Sequence, residues 1–161
     1  MIRKAVQEDV HKICELAFME YYEEHTYEMG LNFSYMTVNY ALMRLIHDEN
    51  VGSLLVAEED DTLVGFYSSR YIPSSLDHAQ FICTETGWYI RPEHRGNGLG
   101  KALLKETMRI AYEKGVTMKK VGAAIAVPQG QSLMDWYVKQ GFVVFQGDAF
   151  KHIKPDDFEG A

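Results

Sequence analysis

This 161-residue chain has few cysteines, no long apolar run and few positive charges, three features that would each point to a particular class of protein. Its only cysteines, Cys14 and Cys83, lie far apart and lack metal-ligand spacing, so we favour two reduced thiols over a single disulfide. No apolar run reaches the length of a transmembrane helix, and no signal-peptide stretch follows Met1. These absences predict a cytoplasmic protein that does not act at a membrane.

Positive charge is scarce as well. The chain has 16 Lys and Arg residues against 23 Asp and Glu residues, a formal net charge of −7. Because a nucleic-acid backbone requires a basic surface, we expect no nucleic acid as partner. The acidic balance is compatible with a cationic substrate, although acidity also serves solubility alone. The six histidines show no metal-ligand spacing, so no metal is predicted.

Hydrophobic periodicity predicts one α+β domain over residues 1–161, with the element order β-α-α-β-β-β-α-β-α-β. Residues 58–61 should form the tight acidic turn of a hairpin, and Gly115 should end the helix that runs to about residue 114. Residues 128–131 should form a loop before the last helix, which Ser132 caps, residues 142–145 the last strand, and residues 154–161 a loose tail. In the first helix, the spacing of Val10, Ile13 and Ala17 predicts a buried stripe, with Glu15 and Glu20 on the opposite, solvent-facing side.

The most informative stretch follows an apolar run that stops at Pro92. Glycines at 96, 98 and 100 precede a helix, and Arg95 and Lys101 flank them with positive charge. The first N–H groups of a helix have no intrahelical partner, and together with the helix dipole they attract anions such as phosphate. We therefore predict that this turn binds a pyrophosphate.

Two well-known phosphate-binding motifs do not fit this turn. The P-loop requires Gly-x-x-x-x-Gly-Lys-Ser/Thr, but here Ala102 follows Lys101, and Arg95 stands where the first glycine belongs. The dinucleotide fingerprint requires Gly-x-Gly-x-x-Gly, and the pattern Gly96-x-Gly98-x-Gly100 is one residue short.

A third pattern fits. Arg95-x-x-Gly98-x-Gly100, preceded by Pro92 and followed by a leucine-rich helix, resembles the acyl-CoA loop of the GNAT superfamily of N-acetyltransferases. The downstream block Trp136–Phe142 resembles that superfamily's tyrosine-containing helix running into a Gly-Phe strand. The resemblance implies a single GNAT-like domain with four helices and a mixed, mostly antiparallel sheet of six to seven strands, whose central strands splay apart.

The resemblance also implies acetyl-CoA as co-substrate, without a metal. Its pantetheine arm would lie between the splayed strands, where Gly122, Ala123 and Ala124 are small, although tight helix packing explains small residues equally well. The loop between the fifth strand and the last helix departs from the family, because Gly130 and Leu133 stand where an Asn and a small residue are common. The expected cofactor contacts are Trp88, Tyr89, Ile90, Arg95, Gly96, Asn97, Gly98, Leu99, Gly100 and Lys101.

Two residues match the family's proton-transfer positions. Glu85 would take a proton from the attacking amine, and Tyr137 would protonate the departing thiolate, while a backbone N–H near Ile90 would hold the oxyanion. Each has a structural alternative, since Glu85 could be a solvent-facing strand residue and Tyr137 a core aromatic. Direct attack of a primary amine in a ternary complex is the reaction that the resemblance implies.

The first two helices would supply the acceptor pocket. Their acidic and aromatic side chains suit an ammonium ion through charge pairing and cation–π contact, although a solvated helix end explains them as well. Rival functions are a non-catalytic acyl-CoA sensor or interaction module, and an enzyme for longer acyl chains; a homodimer is compatible with the sequence. The expected acceptor contacts are Tyr22, Glu23, Glu24, Tyr27 and Glu28.

Overall fold

The computed structural model describes residues 1–122 and 128–144, which contain five strands, four α-helices and three short 3-10 helices. Their order confirms the predicted α+β arrangement as far as the fourth helix. The strands are β1 (Ile2–Lys4), β2 (Gly52–Glu59), β3 (Thr62–Pro73), β4 (Phe81–Ile90) and β5 (Met118–Lys120). The helices are α1 (Val10–Glu23), α2 (Tyr35–His47), α3 (Leu99–Glu113) and α4 (Pro128–Lys139).

The strands form one mixed sheet in the order β1-β2-β3-β4-β5, in which only the β4–β5 pair is parallel. The mostly antiparallel sheet is therefore confirmed, but the count of six to seven strands is wrong for the described residues, which form five. Residues 142–144 do not extend as a strand: Phe142 donates its N–H to the Tyr137 carbonyl and packs its ring against the Tyr137 ring. Residues 123–127 and 145–161, which include Ala123, Ala124 and the expected tail, lie outside the described residues.

Strand β2 is apolar at successive positions rather than at alternate ones, as expected for a sheet that is covered on both faces. Leu54 and Val56 enter the core that the sheet shares with α1 and α2. Leu55 and Ala57 enter the core on the opposite face, which holds residues of α3 and α4. The sheet thus separates α1 and α2 from α3, the helix that follows the glycine turn.

The acidic hairpin that the sequence predicts between β2 and β3 is confirmed. Asp60 and Asp61 form its two-residue loop and both have positive φ, +48° and +58°. Positive φ at both central residues is the property of a type I′ turn, and Asp tolerates this conformation better than most residues.

The strand that leads to the glycine turn has a partner on both sides only in its first half. β4 pairs with β5 from Ile82 to Thr84, and that ladder ends at Lys120. A bulge at Thr86 then interrupts the pairing with β3, since Ser68 faces Gly87 while Ser69 faces Glu85. From residue 85 to residue 90, β4 is therefore paired only with β3 among the described residues.

Two local predictions are wrong. Helix α4 begins at Pro128, so no loop over 128–131 precedes a Ser132 cap; proline is well tolerated in the first helical turn, where its missing N–H is not needed. Glu20 does not face solvent but is partly buried. It lies one helical turn beyond Leu16 and two turns beyond Ile13, and both of these residues are buried. Cys14 and Cys83 are free and fully buried.

No helix in the described ranges has both the length and the apolar content needed to cross a bilayer.

Candidate active site

The glycine turn presents free backbone N–H groups at the start of α3. Gly96 and Gly98 have φ values of +81° and +92°, a left-handed conformation that costs side-chain-bearing residues energy. The first helical hydrogen bond runs from Ala102 N–H to the Gly98 carbonyl, so the N–H groups of Gly100 and Lys101 precede the helical ladder. This geometry fits the predicted pyrophosphate site.

Gly100 serves a different purpose from the two glycines before it. A Cβ atom added at Gly100 would lie 2.7 Å from Cζ2 of Trp88, whereas one added at Gly96 or Gly98 would meet nothing within 4 Å. The missing side chain at 100 therefore lets the start of α3 lie directly on the Trp88 ring. The turn and β4 form one packed unit.

Arg95 is held against the end of β4. Its Nε donates to the Ile90 carbonyl at 2.7 Å, and its terminal nitrogen donates to Glu23 Oε2 at 2.7 Å. The guanidinium carbon also lies 5.3 Å from the centre of the Tyr89 ring. These contacts place the positive charge beside the turn, as predicted, but in this structure they also pair it with a carboxylate.

Glu23 uses both of its carboxylate oxygens in this corner. Oε1 accepts a hydrogen bond from the Tyr89 hydroxyl at 2.6 Å, and Oε2 accepts from Arg95. Burial opposes ionisation of Glu23, but the hydrogen bonds from Tyr89 and Arg95 outweigh it and lower the pKa of this carboxyl. Glu23 is therefore an ionised partner of the turn, and its role toward an amine stays a prediction.

Beyond the β5 ladder, alternate residues of β4 direct their backbone groups away from β3. Arg91 N–H bonds to the Val64 carbonyl of β3, whereas Ile90 presents its carbonyl to Arg95 and Trp88 presents its N–H to Glu20. An extended ligand arm could bind these outward groups as an added strand would.

The two residues assigned to proton transfer lie in direct contact. The hydroxyl groups of Tyr137 and Tyr67 each donate to Oε2 of Glu85 at 2.7 Å, and Gly122 N–H points to Oε1 at 3.4 Å. Glu85 is thus neither solvent-facing nor isolated. Tyr137 is also a core aromatic, fully buried against Trp88.

Burial controls the protonation of this cluster. It raises the pKa of Glu85, although the hydrogen bonds from Tyr67 and Tyr137 and the charge of Lys119 act in the opposite direction. Burial and the nearby Glu85 charge raise the pKa of Tyr137 well above its usual range. Tyr137 therefore keeps its proton at neutral pH and is a hydrogen-bond donor toward Glu85.

Lys119 is a member of this cluster that the sequence analysis missed. Its Nζ lies 4.6 Å from the centre of the Tyr67 ring and 3.5 Å from Sγ of Cys83, and burial lowers the pKa of its ammonium group. Two adjacent lysines on a short strand give no sign of which one points inward. Only the pairing of Lys119 with Cys83 in the β4–β5 register shows it.

Glu20 was also missed, and it lies on the α1 side of β4. Its Oε1 accepts a hydrogen bond from Trp88 N–H at 2.8 Å. Burial raises the pKa of Glu20 to about 8; the Trp88 N–H acts against this rise, and the charges of Glu24 and Glu85 add to it. Its place on the Ile13 and Leu16 stripe was the signal that could have revealed it.

The predicted acceptor residues separate into two groups. Tyr22 and Tyr27 stack with ring centres 5.6 Å apart, and Tyr27 and Glu28 both contact His25 Nδ1, so these three lie together at the exposed end of α1. Glu24 is closer to Glu85 and Tyr137, since burial and the Glu85 charge raise the pKa of Glu24. The structure does not gather all five around one point.

No cluster of three or more His, Cys, Asp or Glu residues suited to a metal ion occurs within residues 1–122 and 128–144.

Comparison with solved structures finds the same fold in several acetyltransferases. An acetyltransferase with acetyl-CoA from Clostridium acetobutylicum aligns at 17% identity over 99% of this chain and 98% of its own, with a TM-score of 0.70. A ribosomal-protein-alanine N-acetyltransferase from Brucella melitensis biovar Abortus 2308 aligns at 18% identity over 96% and 99%, with a TM-score of 0.65. An aminoglycoside antibiotic 6′-N-acetyltransferase from Acinetobacter haemolyticus aligns at 14% identity over 96% and 98%, with a TM-score of 0.72.

These identities establish the fold alone, and a comparison with curated protein sequences gives no match. The family assignment comes from a sequence-family model described as the acetyltransferase (GNAT) family, which matches residues 8–142. This match covers most of the 161 residues and includes the glycine turn, Glu85 and Tyr137. The chain belongs to the GNAT acetyltransferase family and is an acyltransferase.

Proposed function

We propose that the protein transfers the acetyl group of acetyl-CoA to a primary amine by direct attack in a ternary complex. The observation that carries this proposal is the contact of Tyr137 with Glu85, next to the glycine turn and to the half of β4 that is paired only with β3. A protein that only senses acyl-CoA has no need of a donor and an acceptor of protons joined at this point.

Acetyl-CoA would follow the outward-facing groups of β4. Its pyrophosphate would bind the N–H groups of Gly100 and Lys101, with Arg95 adding positive charge. The pantetheine arm would bind near Ile90, and the thioester carbonyl would accept from Trp88 N–H, because Trp88 lies closer along the strand to Glu85. The family supplies acetyl-CoA as the acyl donor; the residues named here bind and orient it.

The same contacts support a route for the proton transfers. The amine nitrogen attacks the thioester carbon, and Glu85 takes a proton from that nitrogen as the tetrahedral intermediate forms. When the C–S bond breaks, the thiolate receives the Tyr137 proton, and the proton on Glu85 replaces it across the 2.7 Å contact. The net result is one proton moved from nitrogen to sulfur, with both side chains restored.

The acceptor belongs to one of several amine classes. Solved structures with this fold include enzymes named for aminoglycosides and for an alanine of a ribosomal protein. The acidic and aromatic end of α1, with Tyr22, Tyr27 and Glu28, supports a cationic amine through charge and cation–π contact.

Free-thiol release from acetyl-CoA tests the proposal. The panel should include kanamycin, spermidine, free lysine and a peptide with N-terminal alanine, each compared with acetyl-CoA alone. We expect amine-dependent thiol release with at least one class and an acetylated product in its mass spectrum. Tight acetyl-CoA binding with no amine-dependent release across the panel would favour the sensor instead.

A further inference from the structure

Glu20 is bound to the backbone of β4 at the site where the thioester should bind. Its Oε1 is 2.8 Å from Trp88 N, and its Oε2 lies 3.2 Å from the point where a Cβ atom of residue 87 would be. Gly87 therefore leaves room for the carboxyl group to lie against the strand. A glutamate near the C-terminal end of α1 reaches the sheet here because Gly87, the residue before Trp88, has no side chain.

The partner of Glu20 is a group that the proposed reaction needs. Trp88 N–H faces away from β3, so it is not part of the sheet ladder and can bind either a side chain or a ligand. Under the proposed function, which this inference requires, the thioester carbonyl accepts a hydrogen bond from the same N–H. Glu20 must then leave that N–H when acetyl-CoA binds.

The surroundings of Glu20 determine what the released carboxyl group does. The charges of Glu24, which directly follows α1, and of Glu85 on β4 both act on Glu20, and the Glu20 charge in turn raises the pKa of Tyr137 on α4. Such a site favours either a protonated Glu20 or a cation beside it. An acceptor amine arriving as an ammonium ion is such a cation, and it approaches from the α1 side of β4, where the predicted acceptor residues lie.

We propose that Glu20 is a further catalytic residue. It releases its hydrogen bond from Trp88 N–H when the thioester carbonyl binds there, and it then takes the first proton from the ammonium form of the acceptor. An ammonium nitrogen must lose two protons to become an amide. The first passes to the Glu20 carboxylate, breaks an N–H bond, forms an O–H bond and then leaves to water. The second passes to Glu85 after attack and reaches sulfur through Tyr137.

The affinity of this carboxyl group for protons suits that step. The pKa of Glu20 is about 8, raised mainly by burial, whereas an unperturbed glutamate has a pKa of about 4 and an alkylammonium group one of about 10. A base is most effective when its pKa lies near the operating pH. Glu20 therefore accepts the ammonium proton much more readily than an exposed glutamate would.

The test is Glu20→Gln, which keeps a hydrogen-bond acceptor for Trp88 N–H but cannot take a proton. The matched control is Glu15→Gln, an exposed residue on the same helix. With the best amine of the panel, kcat/KM of the wild type should rise through a pH of about 8. In Glu20→Gln it should fall about 10- to 100-fold at pH 7 and rise instead toward the pKa of the amine, about 10.

A second measurement needs no amine. Acetyl-CoA affinity, followed by tryptophan fluorescence, should weaken above pH 8 in the wild type and in Glu15→Gln, because the ionised Glu20 holds Trp88 N–H more strongly and repels an anionic ligand. Glu20→Gln should bind acetyl-CoA without this pH dependence. Circular dichroism at each pH shows whether the variant is folded.

The outcomes separate the two proposals. Thiol release by the wild type with an unchanged rate and pH profile in Glu20→Gln would overturn the catalytic role of Glu20 and leave the proposed function intact. No thiol release from the wild type with any amine would overturn the proposed function and this proton transfer with it. In that case the pH dependence of acetyl-CoA binding would still decide whether Glu20 occupies the thioester position.

Discussion

Tyr137 of helix α4 donates a hydrogen bond to Glu85 of strand β4 across 2.7 Å. Tyr67 donates to the same oxygen from β3. A carboxylate that accepts hydrogen bonds from two hydroxyl groups holds both in fixed positions, so Tyr137, the proposed proton donor for sulfur, is oriented before any ligand binds. This contact gives the proposed reaction its closed path for one proton.

Replacing Tyr137 by phenylalanine should lower kcat about 100-fold, because the thiolate then leaves without a proton from a fixed donor. Acetyl-CoA affinity should change little, since the ring still packs between Trp88 and Phe142. Thiol-release kinetics and fluorescence titration measure the two quantities. Tyr112→Phe, on the exposed face of α3, is the control. An unchanged kcat would reject the proton-donor assignment.

Replacing Lys119 by methionine should move the acidic limb of the kcat profile to higher pH. The positive charge of Lys119 lowers the pKa of Glu85, which burial has raised, so its removal leaves Glu85 protonated over a wider pH range. Methionine keeps most of the side-chain volume beside the Tyr67 ring. Lys120→Met, at the exposed neighbouring position, should leave the profile in place. A limb that stays at the same pH in both variants would show that Lys119 does not act on Glu85.

Neutralising Glu23 should affect acetyl-CoA more than the amine. Glu23 holds Arg95 at 2.7 Å, so it competes with the pyrophosphate for that guanidinium and adds negative charge beside it. Glu23→Gln should therefore lower the KM for acetyl-CoA by roughly 2- to 5-fold, the effect of an exposed charge at a helix start. Glu24→Gln should instead raise the KM for the amine. If Glu23→Gln raises the amine KM alone, the acceptor role predicted from the sequence is correct and the turn role is wrong.

Replacing Gly100 by alanine should destabilise the protein by roughly 1–3 kcal/mol, the usual cost of forcing extra volume into a packed region. The new Cβ would lie 2.7 Å from Trp88 Cζ2, so the ring or the start of α3 must move. Thermal unfolding measures the loss, and tryptophan fluorescence detects the ring movement. Gly115→Ala, which adds a methyl group in open space at φ +78°, is the control for backbone strain alone. Equal tryptophan spectra for both variants would contradict the close contact.

Sequence patterns predicted the features that depend on local chemistry. The hairpin turn at Asp60 and Asp61 follows from residues that tolerate positive φ, and Gly115, with φ +78°, follows the end of α3 where a C-terminal glycine was expected. The glycine turn was predicted for the same reason. What the turn contacts was not predictable, because the pairing of Arg95 with Glu23 joins residues 72 positions apart.

The site residues that the sequence missed are those whose partners lie on other elements. Lys119 and Glu20 are charged residues in segments that look amphipathic, and such residues are usually solvated. Their burial follows from the β4–β5 register and from the packing of α1 on β4, neither of which has a local signature. The predicted start of the last helix is too late because proline is common in loops, although it also fits the first turn of a helix, where Pro128 lies.

Glu20 should also make the stability of the fold depend on pH. Its pKa is about 8 in the folded chain and about 4 when unfolded, so its contribution is fully present below about pH 4 and is lost as pH rises through 8. At pH 9 the folded chain must bury an ionised carboxylate, whereas Glu20→Gln buries a neutral amide. Urea unfolding should therefore show the variant more stable than the wild type by roughly 2–4 kcal/mol at pH 9, with the difference shrinking toward pH 5. Glu15→Gln should follow the wild type at both pH values. A Glu20→Gln variant whose stability parallels the wild type from pH 5 to 9 would show that Glu20 ionises freely in the folded protein, and it would remove the reason for expecting a base with a pKa near 8 at Trp88.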